Sequence, residues 1–305
     1  MTPNEYLKKI IEQQTFDEGD QELEDLRALR DSVKDLLISK FSDSKLSIRW
    51  AGSMAKFTMV RDAYDGDITC YFEHEETDAG ETLEDLYGAV EEVLGDDYIV
   101  ERKPSALRIR DKRADSYYVD LHLDVVPGRF IDEEKKDVFL HRTTGDKERL
   151  KTNLHVHIDH IRKSGVRKAI RLMKVWNIRH GVGAKTFILE LLVAKLLKDK
   201  KSDSLANQLE YVWTEMRDHA ADLAVEDPAN PNGNDLKPSL DECRYSLSTL
   251  AGTALANVQA DNWEAIFGPV EDDDDEDDGD DGQGQTSAPK AAALSTPRAS
   301  KPWRE

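Results

Sequence analysis

Residues 50–72 read WAGSMAKFTMVRDAYDGDITCYF, and the last third of that stretch decides the fold. Gly66, Ile68, Cys70 and Phe72 alternate with Asp65, Asp67, Thr69 and Tyr71, the period of two that marks a strand with one apolar face. Asp65 and Asp67 therefore share the other face. Just upstream, Gly52 and Ser53 form a turn after a short extended approach at 47–51, and a short helix is predicted over 54–60. The unpaired N–H groups of such a turn suit an anion. An anion site beside paired carboxylates requires something cationic between them.

The flanking segments give that strand its partners. Leu23, Leu26, Leu29, Val33, Leu36 and Leu37 recur at helical spacing and predict an amphipathic helix over Gln21–Lys40. Leu83, Leu86, Val90, Val93 and Leu94 predict another over 81–94. ALRIRD (106–111) and YYVDLHLDVVP (117–127) read as strands joined by a charged turn. In the second of these, Val119, Leu121, Leu123 and Val125 form the core face, and Asp120, His122 and Asp124 share the opposite one. After Thr152 the period becomes helical in VRKAIRLMKVWNIRH, KTFILELLVAKLL and SLANQLEYVWTEM, with an irregular EDPANPNGNDLKP and a last packed element at DNWEAIFG. The expected class is α+β, with a sheet-bearing core and its N-terminal helix at 1–150, a helical lobe at 151–270, and a tail at 271–305 whose composition suits disorder.

Bulk properties narrow the function. The 305 residues carry a net charge of -20, and ten carboxylates lie within 271–281 alone. Such a surface disfavours long nucleic acids, whose binding rests on counterion release. Small anionic substrates remain compatible if metal ions and a local basic patch offset the repulsion. Cys70 and Cys243 cannot build a zinc cluster or a disulfide framework. No run is apolar enough to span a bilayer, and the N-terminus lacks the apolar run of a signal peptide, so a cytoplasmic protein with no membrane partner is expected.

Two aspartates at i and i+2 on one strand face, with a third on a neighbouring strand, can hold two divalent cations about 4 Å apart and clamp both oxygens of an in-line phosphoryl displacement. Mg²⁺, or Mn²⁺ in its place, suits such a ligand set, since Mg²⁺ takes few carboxylates and keeps room for water and phosphate oxygens. A lone DxD is more often a solvated edge, and a lone Gly-Ser is weaker still. Here the order, the spacing and the second acidic strand ending in DVVP outweigh those readings. His122 reads as a polar-face residue, because a hard cation prefers oxygen. His155, His157 and His160 read as polar positions at a helix start. Trp50, Trp176, Trp213 and Trp263 read as packing residues.

GSMAKFT, DGD and DVVP in this order resemble the signature of the polymerase-β-like nucleotidyltransferases, and in particular the cGAS/DncV-like group (CD-NTases) together with the oligoadenylate synthetases. RLMKVWN, KTFILELLVAKLL, DPANP and WEAIFG resemble helical-lobe segments of bacterial members, so the likeness spans about 46–268. The resemblance implies a palm sheet with flanking helices and an oligoadenylate-synthetase-like C-terminal lobe. It implies that Asp65, Asp67 and Asp124 bind two Mg²⁺ ions, with Asp124 favouring deprotonation of the acceptor hydroxyl. Gly52 and Ser53 would hold the donor triphosphate, and Lys174, Lys185 and Thr186 would approach it from the helical lobe. Asp120 is the rival third carboxylate, and the DVVP match favours Asp124. Phe57 departs from the pattern, since relatives commonly read AKGT where this chain reads AKFT.

The implied activity joins NTPs, ATP among them, with release of pyrophosphate, to make a cyclic di- or trinucleotide messenger in CBASS anti-phage defence. Accessory regulatory proteins and an effector that reads the product would be its partners. Linear oligoadenylate synthesis or nucleotide addition to an RNA end is the alternative within this chemistry, and the acidic surface counts against it. A non-catalytic module acting through the acidic tail is the alternative of another class.

Overall fold

The decisive strand lies inside a sheet whose order brings the two acidic strands together. The computed structural model describes residues 1–112 and 121–270; Asp120, the first half of the second acidic strand and the tail lie outside them. Two helices come first, α1 (Pro3–Gln13) and α2 (Gln21–Lys40), then β1 (Ser47–Trp50), α3 (Gly52–Lys56), β2 (Gly66–Phe72), α4 (Leu83–Asp97), β3 (Tyr98–Arg102) and β4 (Leu107–Asp111). β5 (Leu123–Phe130), β6 (Val138–His141) and β7 (Arg149–Thr152) complete the sheet. Its order is β1-β2-β5-β4-β3, with β6 pairing both β5 and β7. β2 and β5 run parallel, and the other pairs are antiparallel.

Ile68, Cys70 and Phe72 of β2 pack with Leu123 and Val125 of β5, Leu107 and Ile109 of β4, and the apolar stripes of α2 and α4. That is the apolar face the alternation predicts. The opposite face departs from expectation beyond Asp67. Thr69 is 1% and Tyr71 5% exposed, because Tyr71 packs with Phe130, Val138 and Leu140 and against Leu154. The cover over that end of the sheet leaves the Asp65–Asp67 end of the strand as the more open one.

β5 continues through Pro127 to Phe130, further than DVVP suggests. Along one edge it pairs with β4 up to Val125 and with β6 from Arg129. Pro127 falls in the gap between the two, where a missing ladder donor costs least.

The remaining helices are α5 (Leu154–Arg162), α6 (Arg167–Arg179), α7 (Thr186–Leu196), α8 (Leu205–Asp218), α9 (Lys237–Gln259) and α10 (Glu264–Phe267). Leu172, Met173, Trp176, Leu189, Leu192, Trp213, Leu247 and Phe267 belong to their common core. α1, which the periodicity reading did not set out, contributes Tyr6, Leu7, Ile10 and Ile11 to this helical core rather than to the sheet core. Tyr6 Oη donates to Gly268 O at 2.5 Å, tying the first helix to the end of α10. Trp176, Trp213 and Trp263 are buried packing residues, with Trp213 against the other two rings. Together Met1–Val270 form one compact unit. Among the described residues no helix is long and apolar enough to cross a membrane.

Candidate active site

The turn after β1 is shaped by one glycine. Gly52 has φ +51°, and a Cβ there would lie 1.7 Å from Asp67 Oδ2. The position therefore demands glycine twice, for its backbone and for the approach of the carboxylate. Ala51 N donates to Asp67 O at 2.7 Å, fixing the turn against β2. Ser53 is 6% exposed, and its Oγ is buried without a hydrogen-bond partner in the protein. Gly52→Ala is expected to displace Asp67, reducing activity by about 10²-fold or more, as misplacement of a reacting group by about 1 Å does. Rate and melting temperature measured side by side test this; an active, stable variant would contradict it.

α3 begins two residues earlier than predicted and stops at Lys56, because Phe57 turns left-handed at φ 58° and ψ 41°. A glycine would hold this conformation without strain, whereas a bulky residue does so at a cost of order 1–2 kcal/mol. Arg162 lies 3.9 Å over the Phe57 ring centroid and Arg167 5.6 Å from it, and such cation–π contacts offset part of the strain. Arg162 Nε also donates to Ala55 O at 2.6 Å. The left-handed turn that a glycine would make without strain is thus kept here by an aromatic ring beside two arginines.

Behind the turn lies a buried ionic cluster. Glu190 of α7 is fully buried and accepts from Lys56 Nζ at 2.5 Å and from Thr58 Oγ1 at 2.7 Å. Lys174 of α6 is 3% exposed and donates to Thr58 O at 2.8 Å, with Glu190 Oε1 at 4.0 Å. Burial pushes the Lys174 ammonium below its ordinary pKa, against the attraction of Glu190. Lys174 therefore braces the segment that follows α3 from within.

The carboxylates meet through strand register. Asp67 on β2 and Asp124 on β5 are direct partners across the parallel pair, and Asp65 precedes Asp67 by two residues. Arg108 of β4 is the register partner of Asp124 from the other side. Its Nε and Nη2 donate to Asp124 Oδ1 and Oδ2 at 2.8 and 3.0 Å. The same guanidinium lies 3.8 Å from Asp65 Oδ2, and His122 Nε2 lies 3.6 Å from it. Burial, then Asp65 and Asp124, push Asp67 from 3.8 up to about 7. Burial acts in the same direction on Asp65, but the hydrogen bond and charge of His122, then Arg108, hold it below its ordinary value.

Three carboxylates and a spare serine hydroxyl form an oxygen-only donor set, which fits a hard divalent cation. The orphaned Ser53 Oγ, on a turn that only Gly52 lets approach Asp67 so closely, fits a polar ligand beside them. Among the described residues no group of three His, Cys, Asp or Glu side chains is arranged to hold a metal ion as it stands. Both oxygens of Asp124 are engaged by Arg108.

Asp65, Asp67, Asp124, Gly52 and Ser53 are brought together, and Lys174 stands directly behind them. Lys185 and Thr186 lie at the start of α7, the helix that carries Glu190. Lys185 is the exposed N-cap of α7, with its Nζ 3.0 Å from Ser239 Oγ and 3.1 Å from Glu242 Oε2, and Thr186 is the exposed first residue of the helix. The three histidines of α5 diverge: His155 pairs with Arg49 at 2.9 Å and His157 with the buried Asp227 at 2.7 Å, and His160 is exposed. A surface groove of about 680 Å³ along α5, lined by His155, Asp159, His160 and Lys163 among others, contains none of the candidate site residues.

Arg108, Lys56 and Glu190 were not among the expected site residues, although Arg108 and Glu190 each left a trace. Leu107 and Ile109 face the core, so Arg108 falls on the polar face beside the acidic strand. Glu190 is a lone carboxylate in the apolar run FILELLVA.

Order and geometry define a nucleotidyltransferase fold of the kind found in solved CD-NTases. E. coli MS115-1 CdnC, solved with ATP, superposes with a TM-score of 0.67 at 18% identity, over 88% of this chain and 98% of that one. Elizabethkingia meningoseptica CdnE, a cyclic dinucleotide synthase solved with GTP and Apcpp, gives 0.61 at 15% identity over 85% and 99%. Vibrio cholerae DncV, a cyclic AMP-GMP synthase, gives 0.57 at 17% identity over 88% and 81%. No protein-family model matches the sequence, and no curated protein does.

Proposed function

We propose that this chain is a cyclic oligonucleotide synthase that joins NTPs with release of pyrophosphate. The observation that carries the reading is the register of Asp67 against Asp124, with Asp65 beside them and the Gly52–Ser53 turn pressed onto Asp67. Asp65, Asp67 and Asp124 would hold two Mg²⁺ ions. When bound, these supply charge neutralisation at the reacting phosphorus and lower the pKa of the attacking hydroxyl. The Ser53 hydroxyl and the N–H groups of the turn bind the donor triphosphate. Lys56, Glu190 and Lys174 hold that turn rigid from behind, so its donors are already oriented when the phosphate arrives. Asp124, on the β5 side, faces the acceptor hydroxyl and favours loss of its proton. A second round on the linear intermediate closes the ring.

ATP and GTP accompany several of the similar structures, and ATP is the substrate expected first here. E. coli CdnC has also been solved in a complex with HORMA-deltaN, which supports an accessory protein as a regulator of this chain. A downstream effector reading the product, and a role in anti-phage signalling, complete the proposal. The test is to incubate the purified protein with the four labelled NTPs and Mg²⁺ or Mn²⁺, treat with phosphatase, and weigh the products by mass spectrometry. A phosphatase-resistant species at the mass of a cyclic di- or trinucleotide is expected. Linear products alone would show chain extension in place of cyclisation.

A further inference from the structure

The bidentate pair between Arg108 and Asp124 bears on how the site takes up its cations, an inference that rests on the metal-binding reading above. A guanidinium fork engages both oxygens of a carboxylate in its own plane. Those are the atoms that a divalent ion bridging β2 and β5 would need. Arg108 reaches them because β4 and β5 place it directly opposite Asp124, so the pairing is built into the sheet and is not a chance surface contact. The guanidinium also lies 3.8 Å from Asp65 Oδ2. One cation thus serves two of the three carboxylates. Its side chain is 25% exposed, which leaves it a way out toward solvent.

A divalent ion held by Asp124 and a guanidinium held by the same carboxylate would be like charges within a few ångströms, and the two states exclude each other. We propose that Arg108 is a built-in competitor for the metal site: it keeps Asp124 paired until a divalent cation displaces it. Asp65 and Asp67 then take the first ion, and Asp124 joins only when Arg108 has let go. Arg108 positions Asp124, and its influence on the reaction passes through that carboxylate.

The test is a Mn²⁺ titration of the full-length chain without nucleotide, followed by the electron spin resonance signal of free Mn²⁺. The wild type is compared with Arg108→Gln, Arg108→Lys and Asp67→Asn. Arg108→Gln is expected to bind Mn²⁺ about tenfold more tightly or better, the scale of a charge-assisted pair removed from competition. Arg108→Lys keeps a charge but loses the fork, and should fall between, which maintains the comparison if the glutamine variant folds poorly. Asp67→Asn should bind weakly. If binding still depends on Asp67 but neither Arg108 variant tightens it, Arg108 does not compete and only this inference fails. If no protein shows Asp67-dependent binding, the metal site itself is wrong and the inference falls with it.

Discussion

Replacing both Asp65 and Asp67 with asparagine should reduce nucleotide joining by about 10³-fold or more, while the circular dichroism spectrum stays that of the wild type. Loss of metal-borne charge stabilisation removes several kcal/mol from the transition state, and each 1.36 kcal/mol is a factor of ten in rate. Amides keep the shape of the side chains and the packing of β2. Turnover near the wild-type rate would overturn the assignment. The single variant Asp67→Asn carries a second signature in EDTA. Burial and the neighbouring carboxylates raise Asp67 from 3.8 to about 7, so the folded state holds the proton longer than the unfolded chain. Wild-type stability contributed by this site therefore falls as pH rises between about 4 and 7. The asparagine variant is spared that loss, and its melting temperature should exceed the wild type's by a few degrees at pH 8 and converge with it toward pH 4.

The second large effect is on stability and lies behind the site. Glu190→Ala should destabilise the chain by about 3–5 kcal/mol, because it leaves Lys56 and Lys174 buried without their carboxylate. In a chain of this size that corresponds to roughly 10 °C or more in melting temperature. Glu190→Gln keeps an acceptor for Thr58 and should cost less. A Glu190→Ala variant within about 1 kcal/mol of wild type, by denaturant unfolding, would mean the cluster does not brace the turn.

The parts of the fold readable in sequence are those where one face is apolar and the other is not. β2, α2 and α6 through α8 announce themselves by period, and the pairing of Asp67 with Asp124 follows once both strands are seen as acidic on one side. β6 and β7 are four residues each, too short for an alternation to stand out. β3 has only Ile99 and Val100 as aliphatic residues, and Ile99 is exposed. α1 left a sign that composition hides: Thr2 and Glu5 form a capping box ahead of the helix, with Pro3 at its first turn. The candidate site was legible in its carboxylates and its glycine, which stand in a local motif and which the fold brings together. Arg108 and Glu190 were not, because their meaning comes from partners 16 and 134 residues away. Lys185 was named by a resemblance alone, and its Nζ lies beside Ser239 and Glu242 of α9.

The most direct test of the central claim is a crystal of the full chain grown with Mn²⁺ and a non-hydrolysable NTP, with the manganese located by anomalous scattering. Two peaks about 4 Å apart, shared by Asp65, Asp67 and Asp124, are expected. Triphosphate oxygens should lie against Gly52 and Ser53, with Arg108 turned away from Asp124. Nucleotide bound elsewhere, or manganese absent from these carboxylates while Arg108 still holds Asp124, would contradict the claim.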